Sequence, residues 1–243
     1  MTQRKPSWPW PAFAFSLLLL GGCKDRLFDN PFDPSVSEIV FEVVQTFTGP
    51  AAAPRGLAWD GASLWLADGS GGVLYNLNSS SGAVVRALQP PAAGLADAAY
   101  DGADLWVCGE ADVFISKVGF LGGDVLKRLN MQRGSFTALE YGLGALWAAD
   151  AQTNKILKVD AETGEVLGSI DNPGTRISGL AFDGSGFWIA DSATLTIYRL
   201  SAGGQVLRRY LSPGQSPRGL AFDGRFLWNA DGNGKLYQLR FQD

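Results

Sequence analysis

Short apolar segments alternate with polar turns along most of the chain, and this pattern returns with a period of about 41 residues. One tryptophan occupies the same point of each repeat, at spacings of 41, 41, 41 and 40 residues. These residues are Trp65, Trp106, Trp147, Trp188 and Trp228. Periods of about 40–50 residues that hold several strands are typical of propeller blades. The pattern therefore predicts an all-β repeat architecture with the tryptophans packed between blades.

One repeat shows which strands the pattern predicts. Gly179–Phe182 and Phe187–Ala190 are almost wholly apolar, as expected for inner strands A and B that pack on both faces. Asp183-Gly184 lies between them and is typical of a two-residue hairpin turn. Thr196–Leu200 and Gln205–Leu211 mix apolar and charged residues, which predicts outer strands C and D in contact with water.

The phase of the repeat predicts how the chain closes. A step of 41 residues back from the strand D pair Val84-Val85 reaches Val43-Val44, so the repeats begin with a D strand. The last segment, Lys235–Phe241, matches strand C and has no D strand after it. This offset is expected in a closed ring of blades, because the D strand within Glu38–Phe47 can complete the last blade beside its C strand. We expect residues 38–243 to form a five-bladed β-propeller with four antiparallel strands per blade.

The N-terminal residues have the pattern of a targeting segment. Arg4 and Lys5 precede the apolar run Ala12–Leu20, which is too short to span a bilayer. Leu20-Gly21-Gly22-Cys23 resembles the lipobox of bacterial lipoproteins, which implies cleavage before Cys23 and lipidation of that residue. Residues 1–22 are thus predicted to be a signal peptide and residues 23–37 a lipidated cysteine with a polar tether.

Composition and charge limit the possible partners and chemistries. The chain has no histidine, which excludes a Ser-His-Asp triad and any His-ligated zinc. Loss of residues 1–22 removes Arg4 and Lys5 and no acid, so the net charge falls from −4 to −6. An acidic domain argues against nucleic acid as a partner. The residue after the predicted lipidated cysteine is Lys24, whereas lipoproteins that enteric bacteria retain at the inner membrane have an aspartate there. We therefore expect a lipid anchor in the bacterial cell envelope, in a Gram-negative host at the outer membrane facing the periplasm or the cell surface.

The repeat GLAFDG…FWIAD…IYRL resembles the NHL and YVTN-type propeller repeats over residues 38–243. With five repeats, it is also similar to the glutamine cyclotransferases, the plant-type glutaminyl cyclases. That resemblance implies an essential glutamate in strand B of an early blade. The corresponding positions here hold no glutamate and are Leu66, Val107, Ala148, Ile189 and Asn229.

Candidate ligand-binding residues lie where strand A enters the central channel, because one residue per blade converges there. Arg55 and Arg218 occupy this position in blades 1 and 5, which are neighbours across the ring closure. Two guanidinium groups at one opening suit a carboxylate, phosphate or sulfate. The alternative is that each arginine pairs with an aspartate that follows strand B. Those aspartates are expected to cap turns, and they are Asp68, Asp150, Asp191 and Asp231.

Two acids interrupt the small residues of strand A. Asp97 and Glu140 replace a glycine and an alanine of the repeat, and each is a candidate ligand-binding or acid–base group, or an ion-pair partner of Arg55 or Arg218. The favoured function is a binding module for an envelope protein or an anionic ligand such as a polysaccharide fragment. The alternative is a propeller enzyme, a lyase, hydrolase or glutaminyl cyclase-like protein, that uses these carboxylates. Neither hypothesis assigns a metal or a cofactor.

Overall fold

The computed structural model describes residues 39–132 and 134–241, all of whose regular structure is β-strand. The predicted signal peptide, the lipidation site Cys23 and the tether lie outside these residues. The two N-terminal strands are β1 (Ile39–Val40) and β2 (Glu42–Thr48). The strands of blades 1 and 2 are β3 (Pro54–Trp59), β4 (Leu64–Asp68), β5 (Val73–Leu77), β6 (Val84–Leu88), β7 (Leu95–Tyr100), β8 (Leu105–Gly109), β9 (Phe114–Val118) and β10 (Val125–Asn130).

The strands of blades 3, 4 and 5 are β11 (Phe136–Gly142), β12 (Ala145–Asp150), β13 (Lys155–Val159), β14 (Val166–Asp171), β15 (Ile177–Phe182), β16 (Gly186–Asp191), β17 (Thr196–Ser201), β18 (Val206–Leu211), β19 (Pro217–Phe222), β20 (Leu227–Asp231) and β21 (Lys235–Arg240). Each of the first four blades is an antiparallel A-B-C-D sheet. The A strands β3, β7, β11, β15 and β19 contact one another in a closed ring. The predicted five-bladed all-β propeller is confirmed.

The N-terminal strand closes the ring, as the repeat phase predicted. Strand β2 pairs antiparallel with β21, from Glu42 opposite Arg240 to Thr48 opposite Lys235. Phe47 stacks on Trp228 at 5.8 Å between ring centroids, and Arg240 forms an ion pair with Glu42 at 2.7 Å. Blade 5 therefore takes its outermost strand from the beginning of the repeats.

One part of this segment differs from the prediction of a single strand. The strand is interrupted at Phe41. The segment before it, Ile39–Val40, pairs in parallel with Tyr210 and Leu211 and forms a fifth strand on blade 4. Phe41 is buried and stacks on Tyr210 at 4.4 Å. The break lets this aromatic ring fill the space between blades 4 and 5, a tertiary contact that the repeat pattern does not encode.

The hydrophobic core lies between adjacent blades. Five apolar clusters each combine residues of two neighbouring blades, including one between blades 5 and 1. The five repeat tryptophans are all buried, from 0% to 5% exposed. In four blades the indole N–H donates to the aspartate of the A–B turn, as from Trp65 to Asp60 at 2.8 Å. Packing and turn structure therefore account for the tryptophan and the Asp-Gly pair, the most regular residues of the repeat.

The A–B turns of blades 1, 2, 4 and 5 are longer than the two-residue hairpin predicted for them. In blade 1 the turn covers residues 60–63, between β3 and β4. Asp60 accepts the backbone N–H groups of Ala62 and Ser63, and Gly61 has a φ of 95°, which favours glycine. The aspartate thus shapes the turn and anchors the tryptophan at once. No helix in the part of the chain that the structure describes is long and apolar enough to cross a bilayer.

Candidate functional site

Arg55 and Arg218 meet at one end of the central channel. Each is the second residue of an A strand, β3 or β19, and follows a proline in the shared sequence Pro-Arg-Gly-Leu-Ala. Both line a pocket, here called the funnel, whose other wall residues are Glu110, Thr137, Arg176, Ile177 and Ser178. The structure therefore brings together the two arginines that the sequence placed at this opening.

Glycines lie beside both arginines at the same point of the repeat. A Cβ on Gly69 would lie 2.8 Å from Nε of Arg55, and one on Gly232 would lie 3.6 Å from Nε of Arg218. The residue that follows strand B carries a side chain in the other three blades, which hold Glu110, Ala151 and Ser192. Blades 1 and 5, which carry Arg55 and Arg218 at the strand A position, are thus the two with a glycine directly after strand B.

The funnel has an excess of positive charge. Nη1 of Arg55 donates to Oε1 of Glu110 at 2.7 Å, which neutralises one arginine. Within the described residues, no carboxylate forms an ion pair with Arg176 or Arg218. Burial lowers the pKa of Arg218, and the neighbouring charges of Arg55 and Arg176 lower it further. Glu110 and Asp231 offset part of this effect on the pKa of Arg218. Two guanidinium groups without an ion-pair partner among the described residues therefore face one opening.

The aspartates at the ends of the B strands do not form ion pairs with Arg55 or Arg218. Asp68 accepts the backbone N–H groups of Ala52 and Ala53, both at 3.1 Å, and that of Ser70 at 3.0 Å. Asp231 accepts the N–H of Ser216 at 2.8 Å. These carboxylates hold the loop before strand A as well as the B–C turn, which extends the capping role predicted for them. They fix the loops that carry the funnel residues.

Blade 2 departs from this arrangement. Gly109 replaces the capping aspartate, and a Cβ there would overlap the carbonyl oxygen of Ala93. The N–H of Glu110 donates to the carbonyl of Gly94 at 3.0 Å, while Asp112 accepts the N–H of Ala93 at 3.4 Å. The altered turn positions the Glu110 side chain in the funnel.

Asp97 lies inside the ring of A strands and does not line the funnel. Its Oδ1 accepts the N–H of Ala98 at 2.8 Å, and its Oδ2 accepts the N–H of Leu139 in blade 3 at 2.9 Å. The side chain is fully buried against Gly56 of blade 1. Burial raises the pKa of Asp97 well above its usual range, and the nearby Glu140 adds to the effect. Asp97 joins blades 1, 2 and 3.

Glu140 makes the same kind of link one blade further on. Its Oε1 accepts the N–H of Tyr141 at 2.8 Å, and its Oε2 accepts the N–H of Phe182 in blade 4 at 3.0 Å. Burial raises the pKa of Glu140 to about 7. Neither Glu140 nor Asp97 forms an ion pair with Arg55 or Arg218 in the described part of the chain. The four candidate residues thus separate into two funnel arginines and two interblade carboxyl groups.

A second pocket opens beside the funnel between blades 3 and 4. This side pocket has a volume of about 170 Å³ and shares Glu110, Thr137, Arg176 and Ile177 with the funnel. Its remaining lining residues are Ser135, Asp150, Ala151, Asn154 and Thr175. The Thr137 hydroxyl is buried and has no hydrogen-bond partner among the described residues. The side pocket is the roomier of the two, since the funnel encloses only about 10 Å³.

Three solved structures with similar folds carry the names of enzymes. The structure of Myxococcus xanthus glutaminyl cyclase superimposes with a TM-score of 0.72 at 14% identity and covers 84% of this chain and 98% of that one. Virginiamycin B lyase from Staphylococcus aureus, solved as an inactive variant with quinupristin and in selenomethionine form, superimposes with a TM-score of 0.51 at 20% identity. Both lyase structures cover 81% of this chain and 69% of their own. The sequence matches no protein-family model and no curated protein. At these identities the likeness establishes the propeller fold.

Two charged funnel residues, Glu110 and Arg176, were not among the candidates predicted from the sequence. Both were visible as exceptions in the repeat. In blade 4 the position equivalent to Arg55 is Ser178, and Arg176 lies two residues before it. The other blades have Ala53, Gly94, Ser135 and Ser216 at the position of Arg176. Glu110 stands where the other blades have Gly69, Ala151, Ser192 and Gly232. No group of three or more Cys, Asp and Glu side chains in the described ranges is arranged to hold a metal ion.

Proposed function

We propose that this protein is a lipid-anchored lipoprotein of the bacterial envelope whose propeller binds an anionic ligand in the arginine funnel. The observation that carries the proposal is the pair of guanidinium groups, Arg176 and Arg218, without a carboxylate partner beside the ion-paired Arg55. Like charges held close together are unfavourable, and a bound anion removes that repulsion. The planar guanidinium donates two parallel hydrogen bonds to a carboxylate, phosphate or sulfate.

The anchor proposed at Cys23 explains why the domain would meet such ligands. Residues 23–37 would tether the propeller to the membrane, at the outer membrane facing the periplasm or the cell surface in a Gram-negative host. Anionic groups are abundant there on polysaccharides and on envelope proteins. The net charge of −6 after cleavage argues against nucleic acid, and anion binding by arginines requires no cofactor or metal.

Isothermal titration calorimetry of the full chain in detergent, at low ionic strength, tests this proposal. The probes are glucuronate, sulfate and phosphate, with neutral glucose for comparison. We expect at least one anion to bind and Arg218→Met to weaken it at least tenfold, the loss of about 1.4 kcal/mol that a charge-assisted hydrogen bond provides. Arg208→Met is the matched control, because Arg208 is exposed on the outer strand of blade 4. Absence of anion binding, or equal effects of the two variants, would contradict the proposal.

A second candidate function is catalysis in the same funnel. Glu110 is the one carboxylate among the described residues that line the funnel, and it lies beside the guanidinium of Arg55. The similar solved structures include a glutaminyl cyclase and a lyase, but the inactive lyase variant is a histidine-to-alanine change and this chain has no histidine. An enzyme here would use Glu110 as its acid or base. Turnover of an envelope metabolite pool by the wild type, abolished in Glu110→Gln, would favour this function over binding alone.

A further inference from the structure

The charged groups around the side pocket favour an anion over a zwitterion, because the arginine is open to a ligand and the carboxylates are already engaged. Asp150 is buried, and its oxygens accept hydrogen bonds from Ser135, Gln152 and Thr153. Glu110 is already paired with Arg55. Neither carboxylate among the described residues of this pocket is therefore open to a ligand ammonium group, whereas the Arg176 guanidinium is available for an anion.

Several lining groups have unused hydrogen-bonding capacity of the kind that hydroxyl groups satisfy. The buried hydroxyl of Thr137 has no partner within the described residues, which is costly unless a ligand supplies one. The Oδ1 of Asn154 accepts from Asn172 at 3.0 Å, so its amide N–H groups remain as donors. The Ser135 hydroxyl donates to the carbonyl of Glu110 at 3.0 Å and can still accept. These donors and acceptors lie around one cavity.

The size of the side pocket limits the ligand to one small ring. Its 170 Å³ corresponds to about six water molecules at roughly 30 Å³ each. Pockets for drug-sized molecules are larger, at about 300–1,000 Å³. Ile177, which is 5% exposed, adds an apolar wall against which the C–H face of a sugar ring can pack.

We propose that the side pocket binds a single hydroxylated ring that carries a carboxylate, the chemistry of one uronic acid residue. The carboxylate pairs with Arg176, which lines both pockets, and reaches Arg218 on the funnel side, while the ring hydroxyls bond to Thr137 and Asn154. This assignment rests on the proposed function, since it names the class of anion that the funnel takes. The funnel provides the charge recognition, and the side pocket distinguishes a sugar acid from other carboxylates.

Two ring carboxylates of similar size test the assignment. Glucuronate has hydroxyl groups and cyclohexanecarboxylate has none, and calorimetry on the full chain measures both. We expect Thr137→Val to weaken glucuronate binding about tenfold and to leave cyclohexanecarboxylate unchanged, because the substitution removes only a hydroxyl. Arg176→Met should weaken both ligands. The control Thr46→Val, on the exposed side of β2, should change neither.

The outcomes separate this inference from the function on which it rests. If both carboxylates bind and Thr137→Val affects them equally or not at all, the sugar-acid assignment is overturned and the anion-binding funnel stands. If Arg176→Met and Arg218→Met leave the binding of every carboxylate unchanged, or none binds, the proposed function fails together with the assignment.

Discussion

The carboxylate of Glu140 in blade 3 accepts the backbone N–H of Phe182 in blade 4 at 3.0 Å. Asp97 of blade 2 accepts the N–H of Leu139 in blade 3 at 2.9 Å. Both acids stand at positions of strand A where other repeats have glycine or alanine. Each links its own blade to the next, so these interruptions of the repeat stabilise the inner ring near the funnel.

Glu140 should make stability depend on pH. Burial raises its pKa from 4.5 to about 7, so between these values the native state holds a proton that the unfolded chain has released. Stability therefore falls as pH rises through this window. Glu140→Gln cannot ionise, and we expect urea unfolding to show a smaller loss of stability between about pH 5 and pH 8 than in the wild type. The exposed Glu165→Gln should keep the wild-type slope, and an unchanged slope in Glu140→Gln would contradict this role.

Ring closure predicts that the N-terminal strand is essential for a cooperative fold. Deletion of residues 38–48 leaves β21 without its partner β2 and removes the Phe47 ring from Trp228. We expect the truncated chain to be insoluble or to lose its cooperative thermal transition. A circular permutant with the same eleven residues moved behind Asp243 should melt cooperatively, because it rebuilds blade 5. A soluble truncation with an unchanged transition would refute closure by β2.

The close contact between strands β3 and β7 should make Gly56 intolerant of any side chain. A Cβ at Gly56 would overlap Asp97, whereas one at Gly168 on the outer strand β14 meets nothing within 4 Å. We expect Gly56→Ala to cost about 3 kcal/mol, as overpacking of a core does, and to lower the melting temperature by about 6–12 °C. Gly168→Ala should change stability by less than about 0.5 kcal/mol. Equal melting temperatures for the two variants would show that Asp97 is not packed against Gly56.

The proposed anchor depends on one residue. In a bacterial host, Cys23→Ser should abolish incorporation of labelled palmitate and move the protein from the membrane to the soluble fraction. Cys108→Ala is the control, since Cys108 is buried in the core of blade 2 and should not affect labelling. Membrane retention and labelling of Cys23→Ser would rule out lipidation at this site.

The sequence predicted the fold well because the evenly spaced tryptophans report interblade packing, which is the same in every blade. It predicted Arg55 and Arg218 at the funnel because the strand A position converges on the axis. It did not predict the environment of Asp97 and Glu140, since the direction of a side chain in the inner ring depends on the neighbouring strand. The interruption between β1 and β2 was not predicted either, because it depends on the packing of Phe41 against Tyr210, a tertiary contact. Glu110 and Arg176 needed a comparison of loop positions across all five repeats.

The measurement that tests the anion-binding funnel most directly is arginine footprinting with phenylglyoxal on the full chain. Mass spectrometry would follow modification of each arginine with and without saturating glucuronate. We predict that the anion slows modification of Arg176 and Arg218 severalfold and leaves the exposed Arg208 unaffected. Equal modification rates at Arg176 and Arg218 with and without the anion would contradict the account.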